Sequence, residues 1–199
     1  ALLQRRLPPM IAKLLRERLK LEGLAPAPGG GLLILEAISR TVWRCADPED
    51  GCLRIESVDI EKGHDKLVAL LEGPVAYFAV EGVTSVEGRV LLGTRGRKPE
   101  GGSENDFAPW PHVVDDTGAH AYDGKPWLIE ERPYGISDLA QADGALWMTW
   151  TYELDSNETK AGVSSLLARA ALADGMPGRP KLCRTFEGKA EGVAVWRDS

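Results

Sequence analysis

The chain has 199 residues, 43% of them apolar and 27% charged, which is the balance of an ordinary globular protein and not of a disordered or fibrous one. Its net charge of −6 is unevenly placed: residues 1–22 hold six Lys and Arg against two Glu, a surplus of +4 that leaves −10 for the remainder. An acidic body excludes a general phosphate-tracking surface for nucleic acid, and no apolar run approaches the roughly 18 residues that span a bilayer.

The first element in chain order reads as an amphipathic helix. Pro8 and Pro9 suit a first helical turn, where a missing N–H costs nothing, and Gly23 suits the position past the last turn. Ile11, Leu14, Leu15 and Leu19 make one apolar stripe at helical spacing, with Lys13, Arg16, Glu17 and Lys20 turned away from it. The stretch APAPGGG at 25–31 continues neither helix nor strand. The expected organisation is a basic amphipathic arm over 1–24, a Pro/Gly linker over 25–31 and a single domain over 32–199. Laying such a stripe into a partner's groove is a common mode of recognition. Its positive charge also allows peripheral contact with an anionic lipid surface.

From residue 32 the pattern turns to period-two and short apolar runs bounded by Gly, Asp and Pro, the signature of strands. Strands are expected near 32–45, 52–60, 74–81, 88–94, 111–115, 119–122, 126–131, 144–154 and 191–196. Helices are expected near 64–72 and 160–173, the second closed by Asp174-Gly175 and Pro177. Short connections favour antiparallel pairing. The fold class read from this pattern is α+β: a largely antiparallel sheet body with two short helices, preceded by the tethered N-terminal helix. Glu-Gly recurs at 72–73, 81–82, 87–88, 100–101, 187–188 and 191–192, an irregular spacing that is turn chemistry and not a repeat array.

Cys45 and Cys52 flank the turn-rich ADPEDG, and facing positions of a hairpin fall within disulfide range; two separate thiols are the other reading. Cys183 is left unpaired either way, which favours a reducing compartment. Residues 93–111 read as the long loop of the chain, with Arg95, Arg97 and Trp110 as candidate partner-binding side chains.

The stretch HVVDDTGAHAYDG at 112–124 holds two of the three histidines. A two-residue turn at Asp116-Thr117 would put His112 and His120 on opposite faces. A three-residue loop ending in a left-handed Gly118 sets Val114 against His120 and His112 against Tyr122, bringing both imidazoles to one face. Gly at the third loop position favours that second register. The pair could then meet at one metal ion if Glu130, on the next strand, supplied a carboxylate. The plainer reading is a polar hairpin with solvated carboxylates. In ALWMTWTYEL, strict alternation sends Trp147 and Trp150 to opposite faces, so both faces must be covered or one ring exposed.

No nucleophile elbow, phosphate loop, dinucleotide fingerprint or zinc-helix motif is present in the sequence. Two readings follow. One is a non-catalytic accessory subunit of a larger protein assembly, docking through the arm (Ile11, Leu14, Leu15, Arg16, Leu19) and the 93–111 loop, with no cofactor implied. The other is a small-molecule or metal-dependent enzyme or ligand-binding domain, with a pocket built from residues 110–131 around His112, His120, Tyr122 and Trp127. A single metal ion belongs only to that second reading.

Overall fold

The computed structural model describes residues 20–47, 55–102, 107–122, 124–152 and 163–195. The expected helix of the arm, with Ile11, Leu14, Leu15, Arg16 and Leu19, lies outside the described residues, as does Cys52. The chain opens with β1 (Leu21–Pro26), β2 (Leu32–Glu36), β3 (Thr41–Cys45) and β4 (Ile55–Ser57), an antiparallel sheet in that spatial order. A helix, α1 (Glu61–Ala69), leads to β5 (Val75–Val86) and β6 (Arg89–Pro99). With β7 (Ala108–Pro109), β8 (Val113–Asp115) and β9 (His120–Ala121) these form a second antiparallel sheet. The third sheet holds β10 (Trp127–Ile129), β11 (Arg132–Ala142), β12 (Ala145–Tyr152) and β13 (Ser164–Ala173), with β14 (Met176–Pro177) and β15 (Lys181–Glu187) both pairing on β13.

This corrects the α+β expectation: the described residues are mostly antiparallel sheet, with one helix where two were expected. The segment read as a second helix is β13. Its Ala and Leu favour helix only weakly, and tertiary pairing overrides such a preference. Leu166, Ala168 and Ala170 alternate into the core, facing Trp150, Met148 and Leu146 across the β12–β13 ladder. Ala168 and Ala170 thus oppose the larger Met148 and Leu146. Asp174-Gly175, expected as a helix stop, is a hairpin turn: both residues have positive φ (51° and 73°), and Ala173 pairs with Met176. That is the turn type whose twist matches flanking strands.

Other boundaries also move. Leu21–Pro26, expected at the end of the arm and start of its spacer, is a strand paired with β2. The 93–111 stretch is not one long loop, because β6 runs on to Pro99 and β7 pairs back on it. The expected strand near 191–196 has no strand pairing over its described residues. Cys45 is fully buried and disulfide-bonded, whereas Cys183 is a free, exposed thiol. Among the described residues, no helix is long and apolar enough to cross a membrane.

Among the described residues the core is two large apolar clusters and a small third one around Ile34 and Cys45. The first joins Leu33, Leu35 and Val42 of the first sheet to Leu67 of α1 and to Phe78 and Val80 of β5. The second joins Ile136, Leu146, Met148 and Leu166 of the third sheet to Leu91 of β6 and Val113 of β8. Burying each such side chain fully is worth about 1.5–3 kcal/mol, so the central β5–β6 pair, which feeds both clusters, ties the outer sheets together. The faces of β12 behave as alternation requires. Trp150 and Met148 are buried on one, Thr149 and Thr151 on the other, and Trp147 is half-buried with Arg169 over its ring.

Candidate functional site

The β8–β9 hairpin adopts the three-residue loop. Val114 pairs with His120, the Asp115 N–H donates to the Ala119 carbonyl, and Gly118 sits at φ 87°. Asp115 fixes the turn from inside. Its Oδ1 accepts from the Thr117 N–H at 2.9 Å, the Thr117 hydroxyl at 2.7 Å and the Ala119 N–H at 2.8 Å, while its Oδ2 takes Arg89 Nη1 at 2.7 Å. Burial alone would raise this carboxyl, but those donors together hold it below the ordinary carboxylate value.

The two histidines meet as the register requires, with His112 Nδ1 2.8 Å from His120 Nε2. His112 is 3% exposed and stacks edge-on against Trp110, with ring centroids 4.3 Å apart. Its backbone N–H donates to the Thr94 hydroxyl at 2.9 Å. The Gly124 backbone closes over the ring so tightly that an added Cβ would stand 2.6 Å from His112 Cε1. His120 is the more accessible partner. Burial, then the Lys66 charge, lowers its pKa, so the imidazole is neutral at physiological pH.

A cavity of about 670 Å³ opens beside this pair, a size that suits a small organic ligand. One wall is His120, Ala121 and Tyr122 from the hairpin; Trp127 of β10 and Trp150 of β12 form the next. Trp150 meets Trp127 at 5.6 Å and 87°, and Tyr122 at 6.2 Å and 66°, an edge-to-face array. Tyr122 has φ 74°, a backbone conformation that a bulky side chain rarely takes. Burial pushes its hydroxyl above the ordinary tyrosine range, and that hydroxyl rests on Met148 Sδ at 3.5 Å. The lining is completed by β14 and the residues that follow it, Met176 to Pro180 with the exposed Arg179, and by the exposed Lys125.

The sequence-derived candidates divide cleanly. His112, His120, Tyr122 and Trp127 come together. Glu130 falls in the left-handed β10–β11 turn at φ 52°, and among the described residues no group of three His, Cys, Asp or Glu is spaced to hold a metal ion. Trp110 is a core residue, 5% exposed between Phe78 and His112. Arg95 is largely buried, with Nε 3.1 Å from Glu81 Oε1 and its guanidinium over Phe107. Arg97 reaches Glu72 at 3.7 Å. Sequence reasoning missed Lys125 and the Met176–Pro180 wall. The Pro-Gly-Arg-Pro run was the available signal, since a rigid loop bearing one cation is unusual as mere punctuation.

No protein-family model matches this chain, and no curated protein matches it in sequence.

Proposed function

We propose that the protein is a ligand-binding domain whose site is the cavity between the β8–β9 hairpin and the β14 turn. The observation that carries this reading is Tyr122. A bulky residue held left-handed costs on the order of 1–2 kcal/mol, and such strain persists where surrounding structure over-determines it, often at ligand sites. Here the strain sets a ring edge-on to Trp150 in the wall of the cavity beside the histidine pair. Three aromatic rings give a ligand apolar area at low conformational cost. His120 adds one neutral imidazole able to donate or accept a single hydrogen bond.

The reading as an accessory subunit has less to support it. Its arm lies outside the described residues, and two of its loop residues, Arg95 and Trp110, point into the protein. The bonded Cys45 speaks for an oxidising compartment, against the reducing one that Cys183 alone suggests. The test is a fluorescence titration with phenylnaphthylamine, a neutral ring probe that brightens in apolar sites. Saturable binding at one site per chain is expected, weakened about tenfold or more in Trp127→Ala, because that change removes one ring of the wall. Unsaturable binding, or binding that Trp127→Ala leaves intact, would place the probe elsewhere and end the reading.

A further inference from the structure

The polar face of the third sheet is crossed by residues 188–195. Gly188, with φ 92°, turns the chain out of β15, and the segment then passes β13, β12 and β11 in turn without joining a strand ladder. Side chains take the place of a ladder. Ser165 of β13 donates to the Gly188 carbonyl at 2.9 Å and accepts the Ala190 N–H at 2.8 Å; Thr151 of β12 donates to the Ala190 carbonyl at 3.2 Å. Asp138 of β11 makes the last attachment, its Oδ2 accepting the Val193 N–H at 2.8 Å.

A β-bulge puts that acid there. The register of β11 against β12 slips between Ile136 and Asp138, so Ile136 and Leu139 both enter the core, while Ser137 bonds Thr151 and Asp138 reaches the crossing segment. The carboxyl is buried, and among the described residues its Oδ1 has no well-formed hydrogen bond. Neither has the buried hydroxyl of Thr149, its register partner on β12. A charged carboxylate is expensive to bury half-satisfied, whereas the neutral acid costs much less and gains a donor. The described neighbours of Asp138 offer no charge to offset that cost: Gly82 of β5, Thr149 of β12, and Gly192 and Val193 of the segment are all uncharged. Burial accordingly raises this carboxyl from 3.8 to about 6, against the pull of the Val193 and Leu139 N–H groups.

We propose that residues 188–195 are a pH-operated strap, closed over the third sheet while Asp138 is protonated and lifted when that carboxyl becomes charged. Lifting exposes little apolar surface. The face beneath holds the hydroxyls of Ser137, Thr149, Thr151 and Ser165, which water can satisfy, and most residues of the strap are exposed already. A carboxyl that titrates higher under the strap than in the released state favours the strap fully below 3.8, and that support is lost as pH rises through about 6. Two other acids bear on the strap. Glu191 is held below the ordinary carboxylate value by Lys189, Arg95 and Lys20, so it stays charged over this range. Glu81, raised to about 7, attracts Lys189 once it is charged and therefore opposes lifting.

The test is hydrogen exchange read by mass spectrometry on the whole protein between pH 5 and pH 8, each rate being divided by the intrinsic rate at that pH. Protection of the Ala190 and Val193 amides is expected to fall about tenfold over that interval, the factor that separates the strapped and released titrations. It should lie well below the protection of the β12–β13 ladder throughout, because the strap opens while the sheet stays folded. Asp138→Asn keeps the side-chain shape and an acceptor for Val193 but cannot become charged, so its strap protection should show no fall. A wild-type profile that is flat, strap amides as protected as the ladder, or a fall that persists in Asp138→Asn overturns the proposal. The first two are read on wild type and hold whatever the variant does to folding.

Discussion

Glu81 shows how one buried side chain sets the pH response of the protein. It is 4% exposed, and burial outweighs the nearby Arg95 charge, pushing its carboxyl from 4.5 up to about 7. In the unfolded chain the group titrates near 4.5. Between 4.5 and 7 the folded protein therefore keeps a proton that the unfolded chain has lost, and stability falls as pH rises through that window. A shift of this size is worth on the order of 3 kcal/mol. Asp138 acts in the same direction, raised by burial to about 6 although it accepts the Val193 N–H at 2.8 Å. Asp115 acts oppositely: its depressed carboxyl supports the fold above 3.8, and that support is lost as pH falls through the folded-state value. Urea denaturation at a series of pH values should show wild-type stability declining from mildly acid to neutral pH, with a shallower decline in Glu81→Gln. An unchanged slope would assign the titration to another group.

At the scale of elements, turns decided what could be read in advance. The β8–β9 register followed from one residue, Gly118, because only a three-residue loop uses a glycine there. The histidine pair came with it. β13 was misread because helix propensity is a local quantity, whereas its pairing with β12 and β15 depends on residues far along the chain. The β14 wall of the cavity was invisible for the same reason, since it reaches Tyr122 only after β13 returns along the sheet. The turn joining β10 to β11 offers a direct check on this logic. Glu130 and Glu131 both take positive φ (52° and 63°), a geometry for which Asn-Gly is far better suited. Replacing them by Asn and Gly should stabilise the protein by roughly 1 kcal/mol, seen as a rise of a few degrees in Tm. A lower Tm would mean that the glutamates hold contacts worth more than the turn strain.

For the molecule as a whole, the cavity lies on a seam. His120 and Tyr122 belong to the second sheet and its hairpin, while Trp127, Trp150 and Arg179 belong to the third. The site therefore exists only when the sheets dock, and β11 packing across β5 and β6 is the contact that docks them. Gly135 marks a close approach: a Cβ there would overlap the Arg95 carbonyl, so the two backbones meet with no side chain between them. Gly135→Ala forces them apart, an overpacking that costs roughly 1–3 kcal/mol. If the cavity spans the seam, this change should weaken phenylnaphthylamine binding as well as stability, although residue 135 does not line the site. Ligand binding must conversely favour docking, so saturating probe, at about one hundred times its Kd, should return about 2.7 kcal/mol to the folded state. Melting curves of both proteins with and without probe separate the outcomes. A variant that melts lower yet binds with wild-type affinity would place the site within one sheet and remove any coupling between ligand and sheet docking.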